Sequence, residues 1–530
     1  MCYDCCKHFF FGVYSCKWSN DDYYTYAFAN QSRCGKFFLF AIFIAFIVTL
    51  SWTYCWAVLI NDSDEINAYL YDVVSFLYHW YALILGITVV LFFYVVMLCF
   101  AGFLQILHLH NLHLFLCHKI VLLVCFVSFI LGMIYVALLW PDLVSGVKVS
   151  FEMTGPFLQL CSLLVLISFA FYFTKVVWIS EKNKKLAFIS YVIVFTFVLS
   201  IPFWQYSPCI HMDAEANMSK PLLIGHKGAP SLAPENTILS YEHAVSCGVF
   251  ALESDVRLSR DGVPFLMHDP DLLRTTNVEE IFPERKSQRA ENFTWNELKQ
   301  LNAGDWHLKL DPFFTNKYLS KADKAKISAQ KIPSLEEFAK FAAQHNKSVI
   351  FDLGRPPSHH PYYSEYVNIT VNTLLRSGIP QESVLWLISP YQHVVNKLAP
   401  DFRVVASEVV SSSYARNYSV ELLNLIYGST TEEAISLNYS VISYTMDESW
   451  TFSRAWCQGV WAVTTNRCSI FKELKAPLWS LSKTQYYAIW CTMDVISLVI
   501  VIVIFYFGYK RRRREGTYVM VPLFSNSEST

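Results

Sequence analysis

The feature that most constrains this chain is a set of long apolar runs almost free of charge. FFLFAIFIAFIVTLSWTYCWAVLI (37–60), WYALILGITVVLFFYVVMLCFAGFL (80–104), KIVLLVCFVSFILGMIYVALLW (119–140), FLQLCSLLVLISFAFYFTKVVWI (157–179) and LAFISYVIVFTFVLSIPFW (186–204) come first, and YYAIWCTMDVISLVIVIVIFYFGY (486–509) closes the set. Each is near or above the roughly 20 residues that a bilayer core requires. Lipid offers the backbone no hydrogen-bond partner, so such runs must satisfy their own N–H and C=O groups as helices. Of 530 residues, 54% are hydrophobic and 16% charged. That is well below the roughly 25% charge of a soluble chain. The imbalance is local, because 207–485 reads as an ordinary soluble domain.

Basic residues set the expected orientation. Lys7, Lys17, Arg33 and Lys36 precede the first run, the loop 61–79 holds acids but no Lys or Arg, SEKNKK (180–185) follows the fourth run, and Lys510 with Arg511 to Arg514 follows the last. By the positive-inside rule both termini lie inside and 207–485 outside. The 36 polar-rich residues before the first run do not form a cleavable signal peptide. N-x-S/T triplets agree with that orientation, standing at Asn217, Asn292, Asn346, Asn368, Asn417 and Asn438, once more at Asn61, and only at Asn30 inside. They are glycosylation candidates. Four cysteines, Cys209, Cys247, Cys457 and Cys468, are disulfide candidates suited to an oxidising compartment, with pairing open. Cys2, Cys5, Cys6, Cys16 and Cys34 crowd the inner end, as palmitoylation sites or reduced thiols.

Within the outer region strands and helices alternate. LLIG (222–225), FALESDV (250–256), VPFLMHD (263–269), SVIFDL (348–353), VLWLI (384–388), FRVVA (402–406), SVISYTM (440–446) and GVWAVT (459–464) read as strands, between helix-like segments such as TILSYEHAVSCG and SLEEFAKFAAQHN. Size and pattern fit one (β/α)8 barrel, with a doubly wound sheet as the other solution. The expected fold is therefore an α-helical polytopic membrane protein of six transmembrane helices carrying an extracellular or lumenal α/β TIM barrel. Its parts would be a Cys-rich N-terminus (1–36), five helices (37–206), the barrel (207–485, with a loop insertion at about 270–331), a sixth helix (486–509) and a tail (510–530).

In such a barrel function sits at the C-terminal strand ends. His226 ends the first strand, and Glu253 and Asp255, two apart, leave one face of the second. A two-residue Asp261-Gly262 turn would set Asp255 opposite His268, and Asp352 ends SVIFD. Three carboxylates suit a hard cation such as Ca2+ or Mg2+. Two histidines suit proton transfer near neutral pH, and Lys227 supplies a cation for a phosphate. The chemistry suggested is metal-assisted cleavage of a phosphate ester. With a net charge of −1 and no basic face, nucleic acid is excluded as a partner.

GHKGAPSLAPENT, LESDVRLSRDGVPFLMHD, LRTTN, IPSLEEF and the late VTTN together resemble the successive signatures of glycerophosphodiester phosphodiesterases, in their six-span membrane branch. The resemblance implies a TIM barrel, a divalent cation, and cleavage of diesters such as glycerophosphocholine or glycerophosphoinositol to an alcohol and glycerol 3-phosphate. It implies an acid/base pair of His226 and His268, and metal ligation by Glu253, Asp255 and Asp352. Three positions depart from the usual pattern: Lys227 stands for Arg, Asp352 for Glu, and Gly354 for a basic residue, with Arg355 adjacent. Lysine keeps the charge but loses the bidentate fork.

Other residues have plainer readings. Glu235 and Asn236 either contact the site or cap the next helix, His359 and His360 fall on a loop, HLHNLHLFLCH (108–118) is an interfacial segment, and RRRR (511–514) faces anionic lipid. The leading expectation is an outward-facing phosphodiesterase in the plasma membrane or an endomembrane. Alternatives are an enzyme acting on membrane-embedded diesters such as lysophospholipids or lipid anchors, a weak relative serving as receptor or scaffold, and a transporter with a capture domain.

Overall fold

The computed structural model describes residues 2–16, 33–74, 76–107, 112–139, 141–176, 184–204, 207–210, 219–388, 390–409 and 419–519. Asn217 and Asn417 lie outside them. The chain divides into two compact units, one of 1–58, 84–213 and 481–530, the other of 59–83 and 214–480.

The first unit is helical. Among the described residues five helical stretches are long and apolar enough to cross a membrane: Arg33–Val74, of which the helix Arg33–Val58 belongs to this unit, Trp80–Gln105, Leu116–Val136, Gly146–Ala170 and Lys483–Arg511. A shorter apolar helix is Phe188–Trp204. Large apolar side chains such as Val90, Leu138 and Leu164 stay exposed on these helices, as expected of surface meant for lipid rather than water. The protein is membrane-associated. Some polar groups inside the bundle pair with one another: Tyr54 Oη bonds to Ser150 Oγ and Thr154 Oγ1, and Gln159 donates to Asp494 Oδ1 at 3.0 Å.

The second unit is a barrel. Its strands are β1 (Leu222–Gly225), β2 (Ala251–Leu258), β3 (Pro264–Leu266), β4 (Ser348–Leu353), β5 (Val384–Leu387), β6 (Arg403–Ala406), β7 (Leu422–Ile426), β8 (Ser440–Tyr444) and β9 (Ala462–Thr465). They run in the order β1-β9-β8-β7-β6-β5-β4-β2-β3, and β1 also pairs with β2, so the eight parallel strands close and β3 hangs antiparallel on β2. Short runs rich in Val, Ile and Leu suit strands covered on both faces. Inside, Ile224, Ala251, Ile350, Leu385, Val405, Leu422, Ile442 and Ala462 pack together, one from each closing strand. A larger core joins the strands to helices such as Ile238–Ser246, Leu335–Gln344 and Tyr366–Ser377. A disulfide links Cys247 to Cys468, and Cys209 and Cys457 are also disulfide-bonded.

Several details differ from expectation. VPFLMHD is not a barrel stave, and the missing stave is LLNLI (422–426). The hairpin turn has three residues: Ser259 N donates to Val263 O, and Gly262 takes φ +83°. The register therefore shifts by one, with Val256 opposite Leu266 and Met267 N donating to Asp255 O. His268 does not stand opposite Asp255. The stretch 270–331 is no open loop but a run of short helices around its own core of Leu272, Val278, Ala290, Phe293, Leu298 and Leu301. His360 is buried and its Nε2 lies 3.2 Å from Ser259 O, whereas His359 is exposed.

Candidate active site

The barrel interior generates the site by strand alternation. If Ile224, Ala251, Ile350 and Ala462 point inward, then so do side chains two and four positions on. That row holds His226 beyond β1, Glu253 and Asp255 on β2, Asp352 on β4 and Asn466 beyond β9. Asp255 and Asp352 are register partners on neighbouring strands.

His226 is fixed at both ends. Its N–H donates to Thr465 O at 3.0 Å, and its Nδ1 lies 2.7 Å from Asn466 Oδ1. The amide orientation of Asn466 follows from Asp447, whose carboxylate accepts from Asn466 Nδ2 at 2.6 Å and from Asn466 N at 2.7 Å. Since Nδ2 must face that acceptor, Oδ1 faces the ring. His226 Nδ1 therefore carries the proton and Nε2 offers a lone pair to the barrel mouth. Burial pushes the His226 pKa down to about 4, and the Lys227 charge acts in the same direction. His226 is thus neutral near pH 7, and its 3.9 Å approach to Glu253 Oε2 is not an ion pair.

Lys227 sits at φ +50°, a conformation costly for a residue with a Cβ. The gain is that its backbone N–H reaches Glu253 Oε2 at 2.6 Å. The Lys227 Nζ lies 3.9 Å from Glu235 Oε1. Burial would lower the Lys227 pKa, but Glu235 and Asp255 outweigh it and raise it. Asn236, also left-handed at φ +56°, donates from Nδ2 to Asp255 Oδ2 at 2.9 Å and accepts at Oδ1 from Ser254 Oγ and Asp255 N. Glu235 and Asn236 therefore belong to the site, and Thr237 caps the helix by accepting from Ser240 N.

A buried ion network lies beside this row. Arg274 donates from Nη1 and Nη2 to both oxygens of Glu235, at 2.9 and 2.8 Å, and from Nε and Nη2 to Asp269, at 2.7 and 2.8 Å. Burial alone would raise Glu235, but Arg274 and Lys227 hold it down at about 2. Asp269 is likewise held well below the usual range by Arg274 against its burial. His268 projects here with its side chain 48% exposed and Nδ1 2.8 Å from Asp269 Oδ1, leaving Nε2 unengaged by that contact. Arg257 Nη2 donates to His268 O at 2.6 Å and so fixes the backbone that carries the ring.

Two carboxylate groups compete as cation sites. Glu235, His268 and Asp269 bring donor atoms within 4.8 Å of one another, but Arg274 and Lys227 together already balance the two acids there. Glu253, Asp255 and Asp352 are different. Burial raises Glu253 well above the carboxylate range and Asp255 and Asp352 push it further, while burial and Asp255 raise Asp352. Mutual repulsion of this kind is relieved by a hard cation, so the all-oxygen donor set suits one chemically, although among the described residues only Glu235, His268 and Asp269 bring their donor atoms within 4.8 Å of one another.

Sequence reasoning placed His226, Lys227, Glu253, Asp255, His268 and Asp352 at this end of the barrel, and all six are there. It did not single out Arg274, Asp269, Asp447 or Asn466. LRTTN and VTTN contain Arg274 and Asn466, and strand parity carried on from Ala462 leads to Asn466. Among the other candidates, Asn346, Asn368 and Asn438 are exposed and Asn292 is half-buried.

The barrel and its acid-and-histidine mouth define a phosphoric diester hydrolase. Comparison with known proteins makes the class specific. Residues 226–379 match the glycerophosphoryl diester phosphodiesterase family. The chain is 34% identical over 502 residues to glycerophosphodiester phosphodiesterase domain-containing protein 5 of Gallus gallus, spanning 94% of this chain and 83% of that one. It is 34% identical over 533 residues to glycerophosphoinositol inositolphosphodiesterase GDPD2 of Mus musculus, spanning 98% and 97%. A third relative, glycerophosphodiester phosphodiesterase domain-containing protein 4 of Mus musculus, is 32% identical over 551 residues, spanning 96% and 86%. The chain belongs to the glycerophosphoryl diester phosphodiesterase family.

Proposed function

We propose that the chain is an outward-facing, divalent-cation-dependent hydrolase of glycerophosphodiesters such as glycerophosphocholine or glycerophosphoinositol, releasing an alcohol and glycerol 3-phosphate. The observation that carries this reading is the neutral His226, its Nδ1–H given to Asn466 and its Nε2 3.9 Å from Glu253. Such a nitrogen is a base in waiting.

Glu253, Asp255 and Asp352 would hold Ca2+ or Mg2+, which when bound neutralises phosphoryl oxygens. His226 Nε2 takes the proton from the glycerol hydroxyl beside the phosphodiester as that oxygen bonds to phosphorus. The ester bond to the alcohol breaks, and His268 delivers a proton to the departing alkoxide, its ring held through Nδ1 by Asp269. Opening of the cyclic phosphate by water reverses the two proton transfers. Lys227 would supply the cation that meets the phosphate, and Arg274 holds Glu235 and Asp269 in place beside it.

The six apolar runs serve as the anchor, with both termini cytoplasmic and the barrel extracellular or lumenal. The glycan candidates and the four disulfide-bonded cysteines support that orientation. The test is hydrolysis by the full-length protein in detergent across a panel of glycerophosphodiesters, with chelator and with added calcium or magnesium. Turnover should vanish on chelation and in His226→Ala. Undiminished turnover in either case refutes the assignment.

A further inference from the structure

The loop between the first two apolar runs does not belong with the helices around it. Residues 59–83 group with the barrel, although they precede it by more than a hundred residues. Leu59–Asp62 forms a 3-10 turn and Ser63–Val74 a helix, and the segment touches the stretch after β8 and the 270–331 insertion. Asn61 donates from Nδ2 to Thr445 O at 2.9 Å and accepts at Oδ1 from Asp447 N at 3.0 Å and Thr451 Oγ1 at 3.3 Å. Asp447 is the residue that orients Asn466, and through it His226. Further along, His79 stacks on Phe314 of the 270–331 insertion at 4.2 Å.

Between these anchors the helix presents acids to the site. Asp64, held by Tyr78 Oη at 3.0 Å, lies in the field of Glu235, Lys227 and Arg274. Asp72, eight residues on, lies in the field of Asp269, Arg274, Asp271 and His268. Both Asp72 and His268 keep solvent exposure, as groups lining an entrance do. Of the acids in residues 59–83, Asp64 and Asp72 are the ones near these site groups, and the segment holds no Lys or Arg. Asp72 therefore puts a carboxylate on the side of the histidine assigned to protonate the leaving alcohol.

We propose that Leu59–Leu83 is a specificity cap of the barrel, and that Asp72 selects a diester whose alcohol carries a positive charge over one whose alcohol is neutral. This rests on the phosphodiesterase reading above. The cationic alcohol can arrive on a soluble glycerophosphodiester or on a lysophospholipid, since the two share the same head group. A carboxylate near the departing alcohol attracts a quaternary or primary ammonium and gives nothing comparable to a polyol.

The test uses the full-length protein in detergent micelles, with glycerophosphocholine, glycerophosphoethanolamine and glycerophosphoinositol as substrates. The readout is the ratio of kcat/KM for a cationic over the neutral alcohol. Asp72→Asn should lower that ratio about fivefold to tenfold. Glu65→Gln removes an exposed acid from the same helix and should leave the ratio within twofold. Repeating the measurement with lysophosphatidylcholine against lysophosphatidylinositol separates the soluble from the lipid source, and a dependence on Asp72 in either pair supports the cap. An unchanged ratio in Asp72→Asn, or an equal drop in Glu65→Gln, overturns the proposal while the phosphodiesterase reading stands. If the wild-type protein turns over no diester of either kind, that reading fails and the cap's role fails with it.

Discussion

Replacing Asn466 with leucine isolates the group that prepares His226. Leucine approximates the shape of asparagine but offers His226 Nδ1 no acceptor. In the ground state the lost bond is a neutral one, worth about 1 kcal/mol. Once His226 has taken a proton the same bond is charge-assisted and worth about 2–3 kcal/mol. The difference is felt only as the proton moves, so it appears in kcat rather than in substrate binding. Roughly 1–2 kcal/mol corresponds to about 5- to 30-fold, and loss of tautomer control brings the expected fall in kcat to about 10- to 100-fold. Stability should suffer less. Asp447 still accepts from Asn466 N and Thr465 Oγ1 and loses only the Nδ2 bond, a cost of about 1–2 kcal/mol. The assay is steady-state kinetics on the detergent-solubilised full-length protein, paired with a thermal melt. A kcat within twofold of wild type in a folded variant would refute the relay from Asp447 through Asn466 to His226.

Two further predictions concern stability. The Glu235 carboxyl is held at about 2 in the folded protein and titrates at about 4.5 when free. A depressed carboxylate stabilises the fold above its unfolded pKa, so this contribution, of order 3 kcal/mol, is present above about pH 4.5 and lost as pH falls toward 2. Glu235→Gln should flatten the acid limb of a denaturation-versus-pH series, and an unaltered limb would contradict the pairing with Arg274. The Cys247–Cys468 bridge spans 221 residues. Chain-entropy arguments give it about 5 kcal/mol, so Cys247→Ser with Cys468→Ser should lower the denaturation midpoint of the barrel unit substantially. A shift of under 1 °C would count against it.

How far the sequence could be read depended on the range of the interaction. Strands were legible because burial on both faces demands apolar runs. LLNLI escaped because Asn424 interrupts its run, and VPFL took its place because a hairpin arm has the same composition as a barrel stave. The eight strands counted from sequence thus came from one omission and one false inclusion. The register at His268 turned on a single left-handed glycine. His226, Glu253, Asp255 and Asp352 were visible because each ends or follows a strand. Arg274, Asp447 and Asn466 act through partners 5 to 240 residues away, and only folding makes those neighbours. The acids of 61–79 looked like evidence of topology alone, since nothing local ties Asp64 to Lys227. The triplet at Asn61 has a second use in the same way, its side chain being committed to Thr445, Asp447 and Thr451.

The disulfide after β1 and β9 has a mechanical consequence. Those strands are already zipped together from Leu222↔Ala462 to Gly225↔Thr465, so the covalent bridge turns the barrel's seam into a hoop. A proteolytic cut anywhere in the 270–331 insertion would leave Cys247 on one fragment and Cys468 on the other, still joined. The nicked protein would migrate as one species on a non-reducing gel and as two after reduction.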